Sequence, residues 1–320
     1  MESILCIDDG VEDKILCFAT SDRLHLLQEI DTLYMDGTFY SCPPLWDQLY
    51  VIHGLVGTKM TQIVFRLLPN RQRQTYERLF RLLKDAVHQS TGSPPQPQII
   101  QTGFEVAAIR AIETLFPDCD VRGCFFHYSK ALWRMLQRLD FSALYQQNPE
   151  VNAWVRRAAA LPLLPVNLVQ DTFIDVMDSA AEIPQAVQFR DYMTNTWIDN
   201  HAQFQLGLWN HHDNIGPRTN NHLEGWHCHL NKLVQRAHPN VFAFIKVIQR
   251  LEKTERNKLA QYLHGARPPP RKRIYLEINQ RLERLQEQLR LGIKSPLQFL
   301  DAAGFFCKTG LTKQLVCATL

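Results

Sequence analysis

Three β-rich runs set the fold class of this chain: Leu33-Tyr34-Met35, Leu49-Tyr50-Val51-Ile52-His53-Gly54-Leu55-Val56 and Thr61-Gln62-Ile63-Val64-Phe65-Arg66-Leu67-Leu68. They lie between Thr32 and Leu68, where apolar and polar residues alternate and β-branched and aromatic residues are frequent. Turn signals separate the runs, because Pro43-Pro44 precedes the second and Gly57-Thr58 follows it. We therefore predict three consecutive strands.

The residues that follow alternate between helical and strand patterns. Apolar residues recur at helical spacing from Gln74 to Gln89. Further along, the pattern predicts a strand at Gln98–Gln101, a helix at Glu105–Phe116, a strand at Val121–Phe126 and a helix at about His127–Leu139. This order favours an α/β fold in which a mixed sheet carries helices on both faces, as in RNase H-like domains.

The end of the predicted sheet is the place to look for a site. In open α/β sheets, ligands gather beyond the strand ends, near the point where the strand order reverses. Asp36 lies on the first predicted strand, and Gly103 follows the fourth. We expect these two positions to face each other across that crevice.

The character of the chain changes after about residue 140. We predict four segments: the first part of the sheet domain at 1–140, an all-helical insertion at 141–218, two helices at 219–265, and a basic, proline-containing linker with a helical tail at 266–320. Thr219-Asn220-Asn221 are good capping residues for a helix that carries Glu224.

Composition limits the class of protein. The chain has 320 residues, of which 45% are hydrophobic and 21% charged, as in ordinary globular proteins. It has no apolar run of the roughly 18 residues that suggest a membrane span, and its start lacks the features of a signal peptide. Eight cysteines without regular pairing favour a reducing, intracellular compartment.

Positive charge is concentrated in the rear of the chain. Residues 231–300 contain 15 Lys and Arg against five Glu, a net charge of +10 in a chain whose total is +3, so the remainder carries −7. This asymmetry favours contact with DNA, and the candidate phosphate-binding residues are Lys246, Arg250, Arg271, Lys272 and Arg273. The cluster from Arg267 to Arg273 also fits a nuclear-targeting signal. The alternative is a solvated helical face and linker.

Four segments together resemble the Mutator-like element (MULE) transposases: Asp36-Gly37-Thr38-Phe39, Leu49-Tyr50-Val51-Ile52-His53, Gly123-Cys124-Phe125-Phe126-His127 and Thr219-Asn220-Asn221-x-x-Glu224-Gly225-Trp226-His227. The similarity extends from about Arg23 to Leu251. It implies an RNase H-like catalytic domain that cuts and joins DNA at transposon ends in the nucleus, with two Mg²⁺ or Mn²⁺ ions held by three acids. The first acid then corresponds to Asp36 and the last to Glu224. A homo-oligomer is compatible with this interpretation, and a membrane partner is not expected.

The second acid of that family is absent here. Its segment reads Thr102-Gly103-Phe104-Glu105, and glycine offers no metal ligand. Losing one of three anionic ligands should weaken the metal site and its geometry, so we predict an impaired enzyme. Two alternatives stay open: a working transposase in which Glu105 supplies the missing ligand, and a domesticated module that binds DNA or protein without catalysis.

Two further sets of residues are candidates for supporting roles. His227 follows Glu224 by three residues and is expected either to hydrogen-bond it or a phosphate, or to be a core histidine. Cys124 and His127 have the C-x-x-H spacing of half a Zn²⁺ site. A buried thiol beside a histidine satisfied by the sheet is the alternative.

Overall fold

The computed structural model describes residues 5–8, 10, 12–57, 59–179, 186–214, 218, 221–266 and 273–317. Within this part of the chain there are seven strands: β1 Leu5–Asp8, β2 Leu16–Ala19, β3 Thr32–Thr38, β4 Gln48–Val56, β5 Lys59–Leu68, β6 Ile99–Thr102 and β7 Asp120–Gly123. They form one sheet in the order β1-β2-β5-β4-β3-β6-β7. The sheet is mixed, because β3 and β6 are parallel while β1 to β5 pair with antiparallel neighbours.

The chain divides into two compact units, of which the first comprises Met1–Val121 and Asn220–Pro269. Its helices are α1 Ser21–Glu29, α2 Arg73–Thr91, α3 Val106–Leu115, α10 Asn221–Val234 and α11 Val241–Leu263. The helix α2 buries an apolar stripe and ends at Gly92, whose left-handed φ of 86° suits glycine.

Two separate cores lie on the two faces of the sheet in this first unit. Helices α1, α2 and α3 cover one face, where Met35 and Ile52 of the sheet pack with Leu79 and Ile112. Helices α10 and α11 cover the other face, where their residues pack on Leu49, Val51, Phe65 and Leu67. Because strand side chains alternate between faces, β2, β4 and β5 each supply both cores.

The second unit comprises Arg122–Thr219 and Pro270–Leu320. Its helices are α4 Phe125–Arg138, α5 Ser142–Gln147, α6 Pro149–Ala160, α7 Val166–Asp178, α8 Ala186–Met193, α9 Leu206–Trp209, α12 Arg273–Arg290 and α13 Pro296–Cys317, with a short 3-10 helix at Leu161–Leu163 and a π-helical turn at Thr194–Ile198. Its core includes the Tyr128 ring stacked on Trp209, whose indole N–H donates to the Trp197 carbonyl at 2.9 Å.

The predicted α/β class with a mixed sheet is confirmed, and so are the three strands between Thr32 and Leu68. The prediction of a strand up to Phe126 was wrong at its end, because β7 stops at Gly123 and Phe125 already begins α4. The elements β1, β2 and α1 were not predicted. None of the described helices combines the length and apolar character needed to cross a membrane. The four predicted segment boundaries stay predictions.

Candidate functional site

Asp36 lies near the end of β3, at the centre of the sheet. Asp36 is only 8% exposed. Met35, its neighbour, packs in the core beneath α1 to α3, so the alternation of the strand turns Asp36 toward the face covered by α10 and α11. The Gly37 amide donates to Asp36 Oδ1 at 2.9 Å. A Cβ at position 37 would meet the Gln48 side-chain oxygen, so a larger residue there would displace that side chain.

Glu224 reaches Asp36 from the first turn of α10. One carboxylate oxygen of each residue lies within 4.8 Å of the other. Magnesium–oxygen bonds are about 2.0–2.1 Å and calcium–oxygen bonds about 2.3–2.6 Å, so two oxygens on one ion are separated by at most about twice these lengths. The two carboxylates are therefore close enough to share a divalent cation after a small adjustment. The position of Glu224 near the helix N-terminus also favours its negative charge.

His227 lies beside Asp36 in the first unit. It lies one turn after Glu224, is 5% exposed, and places Nδ1 at 3.9 Å from Asp36 Oδ2. The next residue toward the N-terminus, Trp226, packs edge-on to the His53 ring at 5.3 Å and against Phe65 at 5.5 Å. These contacts fix α10 on the sheet and hold His227 beside Asp36. His227 is therefore a buried histidine that faces Asp36. Its predicted hydrogen bond to Glu224 or to a phosphate stays a prediction.

Position 103 is aligned with Asp36 by the parallel pairing of β3 and β6. The register pairs Leu33 with Ile100 and Tyr34 with Gln101. The printed pairing ends there, and two further residues lead to Asp36 on β3 and to Gly103 just after β6, so the register predicts that the two positions lie side by side. Gly103 is not among the described glycines with positive φ, so its backbone does not require glycine. A carboxylate at this position would begin next to the existing acids.

Glu105, the candidate substitute ligand, has a different partner. It occupies the N-cap position of α3 and is half-buried. Burial raises the pKa of the Glu105 carboxyl, while a hydrogen bond from the Tyr76 hydroxyl and the charge of Arg71 lower it, and the charges of Asp47 and Asp36 raise it. Tyr76 is buried, and its hydroxyl also accepts a hydrogen bond from the Gln48 side-chain amide. Glu105 therefore senses Asp36 electrostatically, but none of the described groups of three or more metal-binding side chains includes it.

Cys124 and His127 lie at the start of α4 in the second unit. Cys124 is fully buried at the N-cap position, and His127 is in the first turn. Among the described residues, no group of three or more metal-binding side chains includes Cys124. The zinc hypothesis therefore gains no support and stays a prediction.

His211 performs a role that the sequence did not reveal. Its Nε2 donates to the Gly123 carbonyl at 2.8 Å, while Nδ1 accepts from the Asn214 amide at 3.1 Å. Burial lowers the pKa of His211 to about 4, and the charges of Arg218 and Arg122 act in the same direction. The neutral ring thus holds the strand end that precedes Cys124, which leaves neither nitrogen for a metal. No sequence motif links His211 to Gly123, so this contact could not be predicted from the sequence.

The predicted DNA-binding residues are placed in part. Lys246 and Arg250 are exposed on one face of α11, four residues apart. Arg273 is exposed at the start of α12 and pairs with Glu277 at 2.7 Å. Arg271 and Lys272 lie outside the described residues, as do Thr219 and Asn220 of the predicted helix cap.

Comparison with known protein families gives one match. Residues 32–131 match the MULE transposase domain. The matched segment includes Asp36, Gly103 and Glu105, and it ends before Glu224. A search of curated proteins finds no match to the chain.

Proposed function

We propose that this chain is a transposon-derived, MULE-type transposase with an RNase H-like catalytic domain, impaired in DNA cleavage and strand transfer because Gly103 replaces its second acid. One observation carries the proposal. Asp36 and Glu224, far apart in sequence, bring carboxylate oxygens within 4.8 Å, and Gly103 directly follows β6, the strand that runs parallel to the strand of Asp36. Two acids of a three-acid site are thus together, and the third position is a glycine.

The sheet supports the RNase H-like part of this proposal. The chain forms three antiparallel strands, β3, β4 and β5, before it crosses through α2 to β6, which is parallel to β3. Helices cover both faces. The match of residues 32–131 to the MULE transposase domain covers these elements.

The residues present fit a hard divalent cation. Asp36 and Glu224 offer oxygen ligands, which Mg²⁺ and Mn²⁺ prefer. Such ions, when bound, polarise a phosphodiester and lower the pKa of a bound water. The protein contributes the two carboxylates, with the Gly37 amide and His227 fixing the orientation of Asp36. With two anionic ligands in place of three, both the affinity for the cation and the precision of substrate placement are reduced.

The alternatives differ in what replaces the missing acid. A working transposase would need Glu105 to leave its hydrogen bond with Tyr76 and turn toward Asp36. Because burial already raises the pKa of Glu105, that carboxyl is a poorer ligand than the pair formed by Asp36 and Glu224. A domesticated module, which binds DNA or protein in the nucleus without catalysis, is compatible with the impaired site.

Titration calorimetry with Mn²⁺ tests the proposal. We expect weak or no binding by the wild type, a clear gain in Gly103→Asp, and loss of that gain in Gly103→Asp combined with Glu224→Gln. Gly207→Asp is the matched control, because Gly207 is exposed and has open space around its Cβ position. Tight binding of two ions by the wild type would overturn the proposal of impairment, and no gain in Gly103→Asp would overturn the assignment of position 103.

A further inference from the structure

A groove of about 500 Å³ opens on the first unit, beside the elements that carry the acids. Residues 43–45, 236–238, 240 and 241 line it. One side is the loop that follows β3, the strand of Asp36, and the other is the loop that follows α10, the helix of Glu224. We call this surface the β3–α10 groove; Phe39 and Tyr40 precede its residues 43–45 in the same loop.

The two loops of the β3–α10 groove are fastened to each other. The His238 amide donates to the Tyr40 carbonyl at 2.8 Å, and its ring Nδ1 donates to the Cys42 carbonyl at 3.1 Å. Ser41 Oγ donates to Asn231 Oδ1 at 2.6 Å. Gln235 and His238 have positive φ values of 62° and 48°, which these contacts hold in place. The groove is therefore a preformed surface rather than two independent loops.

The charge of the groove is positive. Its lining contains the cation Arg236 and no acidic residue. Arg236 is exposed, and no described carboxylate lies within ion-pair distance of it. The positive charge therefore favours an anionic ligand over a cationic ligand or an uncharged apolar one.

Two exposed aromatic rings stand at the β3 side of the groove. Phe39 and Tyr40 are 47% and 44% exposed, so nearly half of each residue is open to a ligand. The Arg71 guanidinium lies over the Phe39 ring at 5.3 Å, and its Nε is held by Asp47 at 2.8 Å. A planar cation fixed over an aromatic ring is a stack that a further planar group can extend.

We propose that the β3–α10 groove binds unpaired nucleotides of a DNA strand, with bases stacked on Phe39 or Tyr40 and a phosphate at Arg236. Exposed aromatic rings interleaved with cations are the chemistry that binds single strands, because every unpaired base offers a π-face and every linkage a negative charge. A paired duplex has no free base face to offer these rings. The choice of DNA rests on the proposed function.

Fluorescence anisotropy with a labelled oligothymidylate single strand tests this inference, in EDTA so that no metal takes part. Removal of an aromatic side chain on which a base stacks should weaken binding of the single strand by about 5- to 100-fold. We expect that loss in Phe39→Ala combined with Tyr40→Ala, and a shallower salt dependence in Arg236→Gln. Phe305→Ala and Arg110→Gln are the controls, because Phe305 is also exposed beneath an arginine and Arg110 is exposed on α3.

A second measurement uses the unaltered protein, so it does not depend on a variant that folds. A strand containing 5-bromodeoxyuridine is crosslinked by light, and the crosslinked peptides are identified by mass spectrometry. We expect crosslinks within residues 39–45 or 236–241. Crosslinks that all fall elsewhere, or wild-type affinity in the double variant, would overturn the inference.

Competition by other ligands distinguishes this inference from the proposed function. Equal binding of duplex DNA would overturn the stacking role, and stronger binding of RNA would replace the DNA assignment. Because the assay contains no metal, single-strand binding persists if Gly103→Asp fails to bind Mn²⁺. In that case the proposal for the acids fails alone. Loss of single-strand binding with intact Mn²⁺ binding by Gly103→Asp overturns the groove alone.

Discussion

Asp36 on β3 and Glu224 on α10 bring carboxylate oxygens within 4.8 Å of each other in a largely buried setting. Two negative charges at this distance repel, and the repulsion is stronger near a protein interior than in water. Most folds avoid such an arrangement unless a cation or a proton shares it. His227, whose Nδ1 lies 3.9 Å from Asp36, offers one compensating group. This juxtaposition is what the proposed cation site predicts.

Restoring the third acid should restore chemistry. We expect Gly103→Asp to nick supercoiled plasmid DNA in Mn²⁺ at least about 100-fold faster than the wild type, the size of effect that one well-placed electrostatic group has on a reaction. Adding Glu224→Gln to this variant should remove the gain, and Gly207→Asp should show none. Equal rates for wild type and Gly103→Asp would show that position 103 does not act in cleavage.

The pairing of Asp36 with Glu224 is also the part of the site that the sequence predicted best. Asp36 follows an apolar strand, and the resemblance to a known family pointed to Glu224, so distant ligands could be matched without a structure. The groove could not be predicted in this way. Phe39 and Arg236 carry no periodic signal, and what joins their loops is a set of hydrogen bonds to backbone carbonyls, such as that from His238 to Tyr40. Such contacts depend on backbone direction rather than on residue type.

The first strands of the fold escaped prediction for a different reason. β1 and β2 have four residues each, too few to show an alternation that differs from chance. Their place at the edge of the sheet is fixed by the pairing of β2 with β5 and of β1 with β2. By contrast, β4 and β5 are long, and their apolar runs were sufficient. β6 and β7 are as short as β1 and β2, but the helical patterns on either side of them made them predictable.

His227 should strengthen the binding of Mn²⁺ by the acids without being a metal ligand itself. In the Gly103→Asp background, we expect His227→Ala to weaken Mn²⁺ binding by about 10- to 100-fold, because groups that orient a ligand from behind have effects of this size. His229→Ala is the control, since His229 lies on the same helix but is exposed. Calorimetry gives both affinities. If the two histidine variants bind Mn²⁺ equally well, His227 has only a packing role.

His211 predicts a pH dependence of stability. Above pH 6.5 the residue is neutral in both the folded and unfolded chains and adds no proton-linked cost. Between pH 6.5 and about 4 the unfolded chain binds a proton that the folded chain does not, so the free energy of unfolding falls as the pH falls. The total loss is about 3 kcal/mol, from the difference between the two pKa values.

The measurement is urea unfolding of the wild type and of His211→Gln at pH 7 and pH 4.5. The wild type should be more stable than the variant at pH 7, and the gap should narrow at pH 4.5. Other groups titrate in both proteins, so their contribution cancels in the difference. A gap that stays constant with pH would contradict the neutral state of His211.

Two ion pairs that join α1 to α11 form a natural comparison of buried and exposed charges. Arg23 Nε donates to Glu252 Oε1 at 2.9 Å, and the side chains are 2% and 8% exposed. The second pair lies one residue earlier on α1 and one turn later on α11. There Asp22 pairs with Arg256 at 2.7 Å, and the side chains are 58% and 44% exposed. We expect Glu252→Gln to lower the free energy of unfolding by about 3–5 kcal/mol, because it leaves the Arg23 charge buried without a counter-ion.

The exposed pair should behave differently. Asp22→Asn should cost at most about 1 kcal/mol, since solvent screens that interaction. Replacing both buried partners, as Arg23→Met with Glu252→Leu, should recover most of the loss, because no charge then stays unpaired. Urea unfolding of the four proteins gives the comparison. If Asp22→Asn and Glu252→Gln cost the same, the buried pair does not hold α1 against α11, and burial rather than charge pairing must explain the position of Arg23.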